Sequence, residues 1–218
     1  MPPPVRPFSM PHVVLLGDSI FDNRAYTGRE PDVITHLRSL LQPSWRATLV
    51  AVDGATTEGL ASQVRKVPAD VTHAVVSVGG NDALGNMDLL STPARSTADA
   101  LALFGRRSAA FEADYRRAIR SAAALNCPLT LCTIYNGNLP DAQQAALGRV
   151  ALMLFNDVIL RTAFDIGAAV IDLRLVCDEP GDYANPIEPS GRGGLKIARA
   201  VARAAGAVPG GASALVWT

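Results

Sequence analysis

The sequence has no excess of either charge. Lysine and arginine together number 20, aspartate and glutamate also number 20, and the formal net charge is zero. Binding to nucleic acids and to anionic membranes depends on a basic excess. The composition therefore predicts no nucleic-acid partner and no membrane partner.

Cysteines and long apolar runs are also scarce. The cysteines are Cys127, Cys132 and Cys177, an odd number without metal-ligand spacing, so we expect reduced thiols in or near the core. The N-terminal MPPPVRPFSM has no long apolar run, and VVLL is far too short to cross a bilayer. These absences predict a cytoplasmic protein with neither a signal peptide nor a membrane span, and we expect no cofactor and no metal.

The composition is that of a globular protein. Hydrophobic residues make up 49% of the 218 residues and charged residues 18%. A chain of this length buries a full core as one domain, and no linker or internal repeat interrupts it. We therefore predict a single domain over residues 1–218.

Short apolar runs alternate with longer amphipathic segments along the chain. The runs that predict strands are 12–17, 46–54, 72–82, 128–135 and 168–174, and the segments that predict helices are 31–41, 57–67, 97–125, 140–166 and the stretch GGLKIARAVARAA. Strands that are apolar on both faces belong to a parallel sheet covered by helices. The pattern predicts an α/β fold, a three-layer sandwich with a five-stranded parallel sheet.

Three of these strands end in polar or glycine-containing turns. Gly17-Asp18-Ser19 follows the first strand, Asp53-Gly54-Ala55 the second, and Gly79-Gly80-Asn81-Asp82 the third. Ligands of doubly wound sheets bind at the carboxyl ends of the strands. These turns are therefore expected to meet at one edge, although each alone also fits an ordinary turn or helix cap.

Together the three turns supply what acyl transfer needs. Ser19 offers a hydroxyl nucleophile and a free backbone N–H. The Gly54 N–H has no side chain beside it, and the Asn81 carboxamide also donates hydrogen bonds. Donors placed around a serine in this way stabilise the oxyanion that forms during ester hydrolysis.

At this point the chain resembles a known family, the GDSL-type or SGNH hydrolases. LLGDSIFDN matches the family's first block, which carries the nucleophilic serine, AVDGA matches the second, and VSVGGND matches the third. The resemblance implies a flavodoxin-like α/β/α fold, an oxyanion hole from Ser19, Gly54 and Asn81, and metal-free hydrolysis of an ester, a thioester or a carbohydrate O-acyl group. It implies a small acyl ester or an acylated sugar as substrate.

The last block departs from the family's pattern of Asp, two residues and then His. In this register the chain reads Asn185-Pro186-Ile187-Glu188, so both the acid and the base are replaced. His12 and His73 begin strands at the opposite edge of the predicted sheet, and His36 lies in the first helix. We expect these three histidines at the surface or its boundary, out of reach of Ser19.

Glu188 is therefore the candidate base. Its ordinary pKa is about two units below that of histidine, and partial burial would raise it. A carboxylate base needs a donor beside it where an imidazole needs an acid, and the Asn185 carboxamide contains one. The prediction is a serine esterase or deacylase with a Glu base, and the alternative is a catalytically silent protein that binds a ligand in the same cleft.

Two further features have open interpretations. Leu84, Met87, Leu89 and Leu90 follow the third block and either form an acyl-binding wall or simply pack the loop against the protein, the second being favoured. Asp182 is a possible second carboxylate, although a solvated turn residue is the preferred interpretation.

Overall fold

Six strands form one sheet in the computed structural model, which describes residues 10–208 and 215–216. The order across the sheet is β2-β1-β3-β4-β5-β6, and the first five strands pair in parallel. The strands are β1 (His12–Gly17), β2 (Arg46–Leu49), β3 (His73–Ser77), β4 (Leu129–Cys132), β5 (Ala169–Ile171) and β6 (Leu215–Val216). The predicted five-stranded parallel sheet is confirmed, and β6 adds an unpredicted antiparallel edge strand.

Seven α-helices lie within the described part of the chain. They are α1 (Val33–Leu40), α2 (Leu60–Val64), α3 (Gly80–Leu84), α4 (Thr97–Ala123), α5 (Ala142–Ile166), α6 (Leu173–Val176) and α7 (Gly191–Ala204). Side-chain caps begin the long helices, because Ser96 accepts from the Asp99 N–H before α4 and Asp141 accepts from the Gln144 N–H before α5. None of the described helices is both long enough and apolar enough to cross a membrane.

The sheet separates two hydrophobic cores. Along β1, Val13 and Leu15 face a core shared with α1 and α7, while Val14 and Leu16 face a core shared with α2, α4 and α5. All four side chains are fully buried, as expected for a strand whose successive side chains point to opposite covered faces. The predicted three-layer α/β/α sandwich is confirmed.

Several element boundaries differ from the prediction. The second strand ends at Leu49, since the backbone N–H groups of Val50 and Ala51 both donate to the Leu15 carbonyl and break the regular ladder. The predicted helix 57–67 divides into a 3₁₀ turn (Thr57–Gly59) and the short α2. The predicted strand 72–82 ends at Ser77, and α3 begins within its range at Gly80, followed by a second 3₁₀ turn (Met87–Ser91). The stretch 1–9 of the N-terminal segment lies outside the described residues.

Candidate active site

The turn after β1 holds Ser19 at the edge of the sheet. Gly17 has a φ of 124°, and a Cβ there would overlap the Ser77 carbonyl oxygen, so only glycine fits this approach of the first block to β3. The Asp18 N–H donates to that same oxygen at 3.0 Å. Ser19 is consequently 7% exposed at the point where the chain leaves the sheet.

Gln63 braces this turn from α2. Its Oε1 accepts from the Gly17 N–H and its Nε2 donates to the Gly17 carbonyl, both at 2.7 Å. The side chain is buried, so both hydrogen bonds are shielded from water. The sequence interpretation missed this residue, although a polar side chain beside the apolar positions Leu60, Val64 and Val67 of the predicted helix was a signal for it.

The predicted oxyanion donors have N–H groups that remain available to a ligand. Within residues 10–208, the Ser19 and Gly54 backbone N–H groups donate to no other group. Gly54 adopts a φ of 74° and is exposed on the loop after β2. The Asn81 Nδ2 donates one hydrogen bond, to the Ala55 carbonyl at 2.9 Å, which leaves its second hydrogen available.

Asp82 ties the Gly54 loop to the end of β3. Its carboxylate accepts from the Thr57 hydroxyl at 2.7 Å and from the Thr57 backbone N–H at 3.1 Å. Together with the Asn81–Ala55 bond, these contacts join the second and third blocks. The three turns therefore lie at one edge of the sheet, as predicted from the parallel order of their strands.

Glu188 is positioned by the segment 183–190. Tyr183 and Pro189 form an antiparallel bridge, and the Ala184 N–H donates to the Glu188 carbonyl at 2.9 Å. The Tyr135 hydroxyl, just beyond β4, donates to the Ile187 carbonyl at 2.5 Å. Tyr135 is a positioning residue that the sequence interpretation missed, and no pattern in the sequence pairs it with this segment.

The contact between Asn185 and Glu188 differs from the expectation. Asn185 was expected to donate to the Glu188 carboxylate, but its Oδ1 instead accepts from the backbone N–H groups of Ile187 and Glu188, each at 2.9 Å. A short side chain closes hydrogen bonds to its own backbone two and three residues on, which forms a turn. Asn185 thus shapes the turn that carries Glu188, and among the described residues no group donates a hydrogen bond to the carboxylate Oε2.

The Glu188 carboxyl is poorly solvated. The residue is 7% exposed and its Oε2 is buried without a partner. Burial raises the pKa of Glu188, the nearby Ser19 hydroxyl opposes part of the rise, and the Asp53 charge adds to it. A carboxylate with a raised pKa is a stronger proton acceptor.

One cavity of about 420 Å³ joins these groups. Ser19, Asn81 and Glu188 line it, whereas Gly54 lies on the adjoining loop and Asn185 is exposed outside it. Its remaining wall is mainly apolar and comes from the segment after β3, from α4, from the segment after β4 and from α5. The arrangement brings a hydroxyl, a carboxylate and a carboxamide donor to one partly open cavity.

A family comparison matches residues 15–193 to the GDSL-like lipase/acylhydrolase family. The chain belongs to this family. The match includes all four blocks and the cavity between them, so the resemblance inferred from the motifs is confirmed. A search of curated proteins found no significant match.

Solved structures of a lipase, an acetyl xylan esterase and a phospholipase share the fold. An extracellular lipase from Streptomyces rimosus is 18% identical, with a TM-score of 0.65, over 89% of this chain and 99% of the lipase. An acetyl xylan esterase variant from Geobacillus stearothermophilus is 18% identical, with a TM-score of 0.65, over 94% and 98% of the two chains. A phospholipase A1 from Streptomyces albidoflavus is 16% identical, with a TM-score of 0.62, over 89% and 99%. At these identities the likeness establishes the fold.

Within this GDSL-family fold, none of the three histidines lines the cavity. His12 was expected near the surface, but it is buried because its ring bonds to Asp70 at 3.0 Å and to Thr48 at 2.8 Å at the amino edge of the sheet. The His36 Nε2 lies 3.0 Å from the Gly191 carbonyl, and His73 packs beside Trp45.

Asp182 is also buried, which corrects the expectation of a solvated turn residue. Its Oδ2 accepts from Lys196 at 2.7 Å and from the backbone N–H groups of Asp178 and Glu179. These bonds hold the segment before Glu188 against α7. Asp182 therefore has a structural role in the segment that corresponds to the family's fourth block.

Asp18 is the second carboxyl of this GDSL-family site. Burial raises its pKa to about 8, and the negative charges of Glu188 and Asp82 add to that effect while the Ile20 N–H opposes it. With a pKa of about 8, Asp18 is mostly protonated at neutral pH. Within residues 10–208 and 215–216, no three His, Cys, Asp or Glu side chains are grouped to hold a metal ion.

Proposed function

We propose that the protein is a serine esterase that hydrolyses a carboxylic ester through Ser19, with Glu188 as its general base. The observation that carries the proposal is that Ser19 and Glu188 line one cavity in a GDSL-family fold, with the Ser19 hydroxyl near enough to oppose the rise in the pKa of the Glu188 carboxyl. Nucleophilic catalysis by serine requires a base within reach of its hydroxyl and donors for the oxyanion.

The first half of the reaction forms an acyl-serine. As the Ser19 Oγ bonds to the acyl carbon, its proton passes to the Glu188 carboxylate and the carbonyl oxygen becomes an oxyanion. The Ser19 and Gly54 N–H groups and the Asn81 carboxamide donate to that oxygen. When the carbonyl reforms, the bond to the alcohol breaks and the alcohol oxygen takes the proton from Glu188.

Water completes the turnover by the same proton path. Glu188 accepts a proton from the water that attacks the acyl-serine, and the second oxyanion occupies the same donors. Its collapse breaks the bond to Ser19, whose Oγ takes the proton back from Glu188. The products are the alcohol and the carboxylic acid, so atoms and protons balance without a cofactor.

A covalent probe tests the nucleophile. A fluorophosphonate should label the protein, and mass spectrometry of the digested protein should place the adduct on Ser19. Ser19→Ala should remove the label, whereas Ser62→Ala, which changes an exposed serine of α2, should keep it. Absence of an adduct over a wide pH range would reject the hydrolase and support a silent ligand-binding protein.

A further inference from the structure

The cavity beside Ser19 is much larger than an acetyl group requires. Its volume of about 420 Å³ falls within the range of about 300–1,000 Å³ typical of small-molecule sites. An acetyl ester would leave most of that apolar surface without a partner. The size of the cavity therefore calls for a longer group on the substrate.

One face of α5 forms a continuous part of the wall. The lining positions are Gln144, Leu147, Gly148, Ala151, Leu152 and Phe155. Their spacing of three and four residues places them on one side of the helix. Gly148 and Ala151 are small, so the wall is open at its middle while leucine and phenylalanine side chains line it on either side.

The opposite wall comes from the segment after β3. Leu84, Met87, Leu89 and Leu90 all line the cavity, and Phe104 of α4 adds to the same wall. Leu84 and Met87 are 37% and 48% exposed, so they are not held in a packed core. The sequence left two interpretations of this cluster, an acyl-binding wall and simple packing of the loop, and its position in the lining agrees with the wall.

The mainly apolar wall favours an apolar group over a polar one deep in the cavity. Asp18 and Glu188 are the carboxyl-bearing residues of the described lining, and no lysine, arginine or histidine belongs to it. The Thr133 hydroxyl is already bonded to Asp172 at 2.8 Å, and the Asn86 carboxamide bonds to Asp82 and to Arg107. The lining also contains Ser77, Asn136 and Gln144, but most of its surface is apolar, so a sugar or phosphate deep in the cavity would lose more hydration than it regains.

We propose that this cavity is an acyl-chain site and that the substrates are esters of medium-length fatty acids. The proposal rests on the proposed function, because the acyl carbon must lie at Ser19 for the chain to enter the cavity. The chain would extend from Ser19 between α5 and the Leu84–Leu90 segment. The alcohol part would remain toward the exposed Gly54 loop.

A chain-length series tests the proposal. With p-nitrophenyl acetate, butyrate, octanoate and dodecanoate, kcat/KM should rise about fourfold for each methylene that becomes buried. The octanoate should therefore exceed the butyrate about 100-fold or more. Equal rates, or a preference for the acetate, would overturn the acyl-chain site while leaving the esterase in place.

Substitutions on α5 supply matched variants. Ala151→Phe should block the cavity and lower kcat/KM for the octanoate about 100-fold, with the acetate changed no more than about twofold. Ala146→Phe, on the exposed side of the same helix, should preserve the preference. Leu152→Ala, which enlarges the cavity, should move the optimum toward the dodecanoate. An equal loss for acetate and octanoate in Ala151→Phe would contradict the site.

A binding measurement separates this proposal from the catalytic one. In Ser19→Ala, octanol should displace 8-anilinonaphthalene-1-sulfonate more effectively than butanol does, and Ala151→Phe should abolish that difference. If octanol binds in this way and no ester is hydrolysed, the acyl-chain site stands and the esterase fails. If esters are hydrolysed and octanol shows no advantage, the acyl-chain site is wrong.

Discussion

The two carboxyl groups beside Ser19 lie in different environments. Asp18 is buried and its pKa of about 8 keeps it mostly neutral, while Glu188 lines the cavity beside Ser19 and its pKa is also raised by burial. Carboxyl groups whose environments separate their pKa values can take different roles in one site. At the residue scale, Glu188 is therefore the group that we expect to move the proton.

Replacing Glu188 with glutamine should remove the base and keep the shape. We expect Glu188→Gln to lower kcat for p-nitrophenyl butyrate about 10²- to 10⁴-fold, the usual contribution of general base catalysis. The melting temperature should not fall, because the carboxylate Oε2 has no hydrogen bond to lose. Glu58→Gln, on an exposed 3₁₀ turn, is the control. Unchanged kcat in Glu188→Gln would remove this residue from the mechanism.

The pH dependence of the reaction should follow the ionisation of Glu188. A base acts only when it is ionised, so kcat/KM should fall as the pH decreases through its pKa. Burial raises that pKa above the ordinary value of 4.5, so the acid limb should lie above pH 4.5. Stopped assays from pH 4 to 8 would locate it. An acid limb that persists unchanged in the residual activity of Glu188→Gln would belong to another group.

At the scale of elements, the serine turn depends on a helix that is far from it in sequence. The Gly17 N–H donates to the Gln63 side chain, which is buried between α2 and β1. A buried backbone group that loses its partner costs about 1–3 kcal/mol. The position of Ser19 is thus coupled to α2.

Gln63→Leu should therefore affect both stability and catalysis. We expect the free energy of unfolding in urea to fall by about 1–3 kcal/mol. The value of kcat should fall several-fold with KM nearly unchanged, since the turn carrying the nucleophile shifts while the cavity remains. Ala61→Leu introduces the same side chain on the exposed face of α2 and should change neither. A loss of stability alone, with kcat intact, would show that Gln63 does not position Ser19.

The sequence predicted the elements that local patterns determine. Apolar runs identified the five parallel strands, and the order of strand ends brought the Ser19, Gly54 and Asn81 turns to one edge. It could not predict the Tyr135–Ile187 bond or the contact between Gln63 and Gly17, because each joins residues with no shared periodicity. The role of Asn185 could not be predicted either. A carboxamide contains both a donor and an acceptor, and the sequence does not show which of them is used.

At the scale of the whole molecule, buried carboxyl groups link stability to pH. The ordinary pKa of Asp18 is 3.8, and it is about 8 in the fold. Between those values the folded state holds a proton that the unfolded chain releases, so stability falls as pH rises. Glu112 acts oppositely, since Arg161 and Arg116 lower its pKa from 4.5 to about 2, and its contribution is lost only as pH falls below 4.5.

The decline should be clearest between pH 6.5 and 8. Burial lowers the pKa of His12 and of His73 below 6.5, so in both states these rings are mostly neutral above that pH. Over this window Asp18 alone predicts that the free energy of unfolding falls by up to about 1.4 kcal/mol per pH unit. Urea unfolding at several pH values would measure the slope.

Asp18→Asn separates this effect from every other titration. The asparagine Oδ1 can still accept from the Ile20 N–H, as the Asp18 Oδ1 does at 3.1 Å, but it cannot ionise. We therefore expect the variant to have a flatter profile and to exceed the parent protein in stability at pH 8. Asp114→Asn, an exposed change on α4, should keep the parent slope. If the parent protein shows no decline, or if Asp18→Asn retains it, then Asp18 is ionised in the fold. Two negative charges would then lie beside Ser19, and Glu188 would not be the single ionised carboxylate that the proposed mechanism requires.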